Sequence, residues 1–274
     1  MDKKNIWINT KPATETGKNG ESYEEFMGRW SRPVAREFVK WLGAAQGKRW
    51  LDVGCGTGAL TQAILDLASP ELVRAIDPTD DYITYARAFF EKDSRVVFQT
   101  ADFKALHSFT QTFDTAVAGL MLNFANIPED AVEAMKCVVV DGGLIGAYVW
   151  DYNGRMEMLR YFWDAAVELD ASVSPIHESQ RFSISDQQSL EKLFHSAKLR
   201  NVEAHSINLS MPFRNFEDFW LRFQGGQGPA GVYLSSLDAE KREELRESVG
   251  RRIKTGPNGA FELEARALAI KGLK

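Results

Sequence analysis

Cysteine and histidine are both scarce in this chain. Two cysteines, Cys55 and Cys137, cannot build a disulfide framework or a four-cysteine zinc site, and a reduced, cytoplasmic protein is the expectation. The four histidines (His107, His177, His195, His205) form no HxH or HExxH pattern, so no metal site is expected. No run approaches the roughly 20 apolar residues that span a bilayer. Met1-Asp2-Lys3-Lys4-Asn5 leads into polar sequence, not into the apolar core of a secretory signal. An excess of positive charge is also missing. Against 38 Asp+Glu stand 33 Lys+Arg, a net charge of −5, which disfavours long nucleic acid or an anionic membrane as partner.

What is present is the composition of an ordinary globular protein: 274 residues, 44% hydrophobic and 26% charged, ample for a full core. Residues 1–20 show little periodicity and read as a flexible N-terminal arm, leaving 21–274 as a single domain. Tyr23, Phe26, Met27 and Trp30 fall on one helical face, and Ser31-Arg32-Pro33 reads as a helix restart. Strand and helix periods then alternate. Strands are expected at 49–53, 72–76, 96–99, 113–118 and 144–150, the last behind a turn at Asp141-Gly142-Gly143. Helices are expected at 59–67, 82–91 and 128–139, with Cys137 turned to the core. Such alternation predicts an α/β fold with parallel strands and helices on both faces. Beyond Trp150 the pattern changes: helices at 154–169, 186–197, 215–223 and 237–253, strands at 202–209 and 261–269, and a loop over Gly225–Pro229.

The strongest motif is Leu51-Asp52-Val53-Gly54-Cys55-Gly56-Thr57-Gly58, a strand that enters three alternating glycines and then a helix. Glycines let the backbone turn tightly and approach a ligand, and the helix start behind them offers unpaired N–H groups. Asp77, 19 positions past Gly58, ends the next strand, where a carboxylate can accept from both ribose hydroxyls of a nucleoside. Asp102, 25 residues later, ends the third strand and can accept from an adenine amino group, with Phe103 beside the base. Cys55 reads as a small residue suited to close packing, not as a nucleophile.

In order and spacing, 52–58, Ile76-Asp77-Pro78, Ala101-Asp102-Phe103, Phe113–Val117 and Asp141-Gly142-Gly143 resemble the motifs of class I S-adenosylmethionine-dependent methyltransferases. The similarity covers about 45–150; at Asp141 many relatives place proline instead. Residues 21–45 and 150–270 resemble, more weakly, a subgroup of small-molecule methyltransferases. The resemblance implies a Rossmann-like, seven-stranded, mostly parallel sheet whose last strand is antiparallel. It also implies a partly helical cap from insertions at about 151–185 and 211–257. S-adenosylmethionine is the implied cofactor, contacted by Gly54, Cys55, Gly56, Asp77, Pro78, Asp102, Phe103 and Gly119, with Asp52 positioning the loop and the amino group of the methionine moiety. Arg29 is a further candidate, for a carboxylate.

An NAD fingerprint would place the third glycine one residue later, so an NAD-dependent Rossmann oxidoreductase is the weaker alternative; a non-catalytic S-adenosylmethionine-binding protein is another. After strand four the chain reads Gly119-Leu120-Met121-Leu122-Asn123-Phe124, without the Asn/Asp-Pro-Pro-aromatic tetrapeptide of nucleic-acid amino-methyltransferases. A small, apolar or aromatic metabolite is therefore the expected methyl acceptor. Trp150 and Tyr152, at the carboxyl edge of strand five, are expected to face it, with Trp220 and Arg181 as further contacts. His177, in an irregular stretch, is the candidate general base.

Overall fold

Short apolar runs in the first half of the chain become strands buried on both faces. The computed structural model describes residues 20, 24–177, 179, 182, 184, 186–226 and 228–274; apart from Gly20, the expected arm at 1–20 lies outside them. The strands are β1 (Arg49–Val53), β2 (Leu72–Asp77), β3 (Val96–Thr100), β4 (Phe113–Gly119), β5 (Val139–Trp150), β6 (Arg200–Phe213) and β7 (Phe261–Leu273). They form one seven-stranded sheet in the order β3-β2-β1-β4-β5-β7-β6. Strands β1 to β5 pair in parallel, and β7 runs antiparallel between β5 and β6. This is the Rossmann-like sheet that the sequence predicts.

The helices are α1 (Arg29–Leu42), α2 (Ala59–Leu67), α3 (Asp80–Phe89), α4 (Pro128–Val138), α5 (Glu157–Leu169), α6 (Gln187–Ser196), α7 (Phe216–Gln224), α8 (Gly228–Ser236) and α9 (Ala239–Arg252). Alternate strand residues feed opposite faces. Trp50, Val73, Val117 and Tyr148 join one core with Phe38 of α1 and Ile64 of α2. Leu51, Val53, Ile76 and Ile145 join the other with Met135 of α4 and Phe194 of α6. Each fully buried side chain of this size contributes about 1.5–3 kcal/mol. Helices α5, α7 and α8 meet through aromatic rings: Phe162 stacks on Phe223 at 4.6 Å, and Trp163 lies 5.6 Å from Tyr233. This aromatic layer forms the cap. Among the described residues no helix is long and apolar enough to cross a membrane.

Several local expectations need correction. Strand β5 begins at Val139, and Asp141-Gly142-Gly143 is an irregularity within it. Gly142 has φ +77° and the register against β4 shifts between Phe113 and Thr115, as in a bulge. The loop expected over Gly225–Pro229 stops early, because Gly228 and Pro229 open α8; proline suits a first turn, whose N–H groups are unpaired in any case. Strand β6 runs Arg200–Phe213, beyond the expected end at Leu209; an edge strand tolerates Pro212. The helix does not restart at Ser31. A widened π turn, Glu24–Gly28, leads directly into α1, and Pro33 lies inside that helix. Cys137 is exposed, on the outer side of α4, whereas Ala134, Met135 and Val138 face inward.

Candidate active site

Parallel strands deliver their carboxyl ends to one edge of the sheet, and the glycine loop sits there between β1 and α2. The N–H groups of Gly54 and Cys55 both donate to the Ile76 carbonyl, at 2.8 and 3.0 Å, which fastens the loop to β2. Gly56 has φ +54°, a backbone that side chains rarely adopt, and a Cβ there would meet nothing within 4 Å. The space above it is open to a ligand. Gly54 serves a different need: a Cβ would lie 2.3 Å from the Met121 side chain.

Asp77 closes the turn from the far side. Its Oδ2 accepts from the Gly56 N–H at 3.0 Å and its Oδ1 from the Thr79 N–H at 2.8 Å. Burial raises its pKa, and these two N–H bonds work against the rise. Asp52 lies fully buried beneath the loop. Its Oδ2 accepts from the Thr61 hydroxyl at 2.6 Å, while its Oδ1 has no hydrogen-bond partner. Burial pushes its pKa up to about 7; the Thr61 bond opposes that shift and the nearby charge of Asp77 adds to it. Burial likewise raises the Cys55 thiol well above its usual value, which is the wrong direction for a nucleophile.

A cavity of about 400 Å³ opens over this edge. One half is lined by Gly54, Cys55, Gly56 and Thr57 of the loop with Asp77, Pro78 and Tyr82 beyond β2. The other half is lined by Phe26, Met27, Tyr148, Trp150, Tyr152, Leu159, Phe124 and Phe182, and Gly119 and Leu120 lie where β4 ends. Tyr148, Trp150 and Tyr152 alternate along one face of the chain. Phe182 lies 5.1 Å from both Tyr152 and Phe124. Leu120 sits at φ +57°, a left-handed backbone that strains a side chain of its size. Asp77 is the only carboxylate among the described lining residues, and no lysine, arginine or histidine is among them.

Other residues singled out from the sequence lie elsewhere. Asp102 caps the 3-10 turn Phe103–Ser108 by accepting from the Lys104 N–H at 2.9 Å; it is exposed, and neither it nor Phe103 lines the cavity. Arg29 is turned toward β6 and α7. Its guanidinium stacks on Trp30 at 4.6 Å, bonds to the Pro212 carbonyl and stands 3.6 Å from Asp218. Its charge is thereby met by Asp218, away from the cavity. Trp220 is buried in the cap, stacked on Phe216 at 6.1 Å, and does not reach the cavity wall either. His177 is held by Ser179 and lies 3.8 Å from Asp164, outside the lining; burial lowers its pKa. Arg181 lies outside the described residues. Among the described residues no group of three His, Cys, Asp or Glu could hold a metal ion.

Sequence reasoning missed several wall residues. Tyr148 carried a signal, because it stands two positions before Trp150 on the same strand. Phe26 and Met27 were visible as an apolar helical stripe, which fits core and cavity wall equally. Leu120, Phe124 and Phe182 come from irregular chain and carried none.

Residues 51–143 match the family model of a methyltransferase domain, a span that contains the loop, Asp77 and β4. Over those residues the chain carries a methyltransferase domain, for which S-adenosylmethionine is the methyl donor. Among solved structures, a candidate methyltransferase from Bacillus halodurans is 18% identical, covering 88% of this chain and 99% of that one, with a TM-score of 0.58. The YcgJ protein of Bacillus subtilis is 17% identical over 88% of this chain and 98% of its own, with a TM-score of 0.56. Phosphoethanolamine N-methyltransferase 2 of Haemonchus contortus was solved with phosphomonomethylethanolamine and S-adenosylhomocysteine. It is 13% identical at a TM-score of 0.59; the match covers 94% of this chain but 57% of that one. These likenesses establish the fold of the methyltransferase domain. Among curated proteins none matches the sequence.

The residues at hand suit the donor. The open space over Gly56, the Asp77 carboxylate at the end of β2 and the unpartnered Asp52 Oδ1 under the loop are the features a nucleoside with an amino-acid tail calls for.

Proposed function

We propose that this methyltransferase moves a methyl group from S-adenosylmethionine to a small, largely apolar or aromatic acceptor. The observation that carries this reading is the aromatic half of the cavity, built on Trp150, Tyr152, Phe124 and Phe182 beside Gly119. Apolar walls bind by burying the acceptor and leave orientation to a few polar groups. A phosphate-bearing acceptor would meet no cationic side chain among the described lining residues, which separates this site from one built for phosphoethanolamine. The same lack of cations, with the net charge of −5, speaks against nucleic acid.

Bound S-adenosylmethionine supplies an electrophilic methyl on its sulfonium sulfur. The chain's own task is to hold, orient and exclude water. Asp77 would accept from the ribose hydroxyls, and Gly54, Cys55 and Gly56 would carry the backbone past the donor. Asp52 would position the loop and the methionine amino group. Trp150 and Tyr152 would fix the acceptor in line. Positioning of this kind lowers a barrier by on the order of 7–11 kcal/mol without an acid–base pair. His177 lies outside the cavity lining. The test is a screen of metabolite extract for label transferred from methyl-labelled S-adenosylmethionine. Label in a small apolar product supports the reading, and label only in RNA or protein overturns it. Donor binding without any transfer would favour a binding protein, and tight NADH binding an oxidoreductase.

A further inference from the structure

The wall formed by Phe26, Met27 and Ser31 belongs to the π turn and the first turn of α1, and one carboxylate ties it to the glycine loop. Glu24 Oε1 accepts from the Thr57 hydroxyl at 2.5 Å, and its Oε2 accepts from Arg32 Nε at 3.1 Å. Thr57 is almost fully buried between Gly56 and Gly58 and lines the cavity. The opposite flank of the same segment is held by ring contacts to the cap side, Phe26 to Phe223 at 6.1 Å and Trp30 to Phe213 at 5.5 Å. The segment thus bridges the loop that would hold the donor and the cap that would hold the acceptor. Glu24 makes the loop side of that bridge.

We propose that Glu24 is a positioning residue that latches this wall to the glycine loop, accepting from Thr57 on the loop side and from Arg32 on the helix side. This rests on the donor reading above. A charge-assisted bond is a suitable latch, because it is strong when closed yet both partners can be solvated when open. This bond ties the Thr57 side chain to the wall, so loss of Glu24 uncouples the wall from the loop. The effect belongs to the release of ligand more than to its capture, since the latch acts once the segment is closed.

Two measurements test this in the full-length protein. The first is the dissociation rate of S-adenosylhomocysteine, followed by the fluorescence of the protein's own tryptophans. Glu24→Ala and Thr57→Val should each speed dissociation by about tenfold, and the double variant should be no faster than Glu24→Ala alone, because each single change already removes the bond between Glu24 and Thr57. Unchanged rates, or additive effects, overturn the latch. The second is hydrogen exchange of the backbone at 26–31 in the free protein, which should quicken in Glu24→Ala while α9, remote from the loop, is unaffected. Equal quickening throughout would mean a merely structural role and also overturns it. If the wild-type protein binds no S-adenosylhomocysteine but exchange at 26–31 still responds locally to Glu24, the donor reading fails and the tie between wall and loop stands.

Discussion

The N–H of Gly56 donates to the Asp77 carboxylate at 3.0 Å, so the residue that opens space for a ligand and the acid that would bind it are fixed to one another. Replacing Asp77 therefore has two consequences: a ribose acceptor is removed and the loop loses one of its ties to β2. Asp77→Ala should weaken S-adenosylhomocysteine binding by about 1.5–3 kcal/mol, the range for a bond to a charged group. Titration calorimetry reads this directly, and an unchanged affinity would remove Asp77 from the donor site. Because burial raises the pKa of Asp77, wild-type affinity should also decline on acidification before an ordinary carboxylate would titrate.

Asp52 gives a prediction about stability. Its pKa is about 7 in the folded protein against 3.8 for the unperturbed side chain. The folded state therefore holds the proton more tightly than the unfolded chain, and this contribution is present below about pH 4 and lost as pH rises through 7. Asp52→Asn, which cannot ionise, should gain stability relative to wild type across that window. A shift of about three units corresponds to about 4 kcal/mol at most, since relaxation around an ionised Asp52 reduces it. Urea unfolding of both proteins at pH 5 and pH 8 checks the sign; a difference that does not change with pH would refute it.

How much of this was legible in the sequence differs by region. Strand-end groups such as Gly56 and Asp77 are fixed by the strand–loop–helix grammar, which is local, so their spacing alone brought them to one edge. Tyr148 and Trp150 share a face by the two-residue period of a strand. Trp220 and Arg29 lie off the cavity for the opposite reason. Their positions depend on how the cap packs, and an aromatic-rich helix reads the same whether its rings face a cavity or, as here, Phe162 and Phe223. Asp102 was placed at the right strand end, but its carboxylate caps the turn that follows.

Leu120 offers a reversal of the usual helix and core rules. At φ +57° any side chain is strained, by roughly 1–2 kcal/mol, and glycine alone is not. Leu120→Gly should therefore be more stable than Leu120→Ala by about 1 kcal/mol, although alanine keeps more of the side chain. Denaturant midpoints of the two variants decide it. If alanine is the more stable of the two, the strain at this cavity residue is not real.

The last prediction separates acceptor from donor. Asp151, between Trp150 and Tyr152, is buried, pairs with Arg266 of β7 and accepts from the Gly154 N–H at 2.8 Å, so the tip of β5 is held rigidly. Side chains on so fixed a support can be changed without moving the glycine loop, which is fastened to β2 and not to β5. Tyr152→Ala should lower turnover of whatever acceptor the label screen identifies, while S-adenosylhomocysteine affinity stays within about 1 kcal/mol of wild type. Trp150 is almost fully buried, and removing its ring entirely would cost about 3–5 kcal/mol of stability, so Trp150→Phe is the better probe there. It keeps an apolar wall but changes its shape, and should raise KM for the acceptor more than for the donor. Kinetics with each substrate varied in turn, beside calorimetry of donor binding, give the comparison. Lost donor binding with acceptor use intact would move Trp150 and Tyr152 to the donor half and leave the aromatic acceptor pocket without its floor.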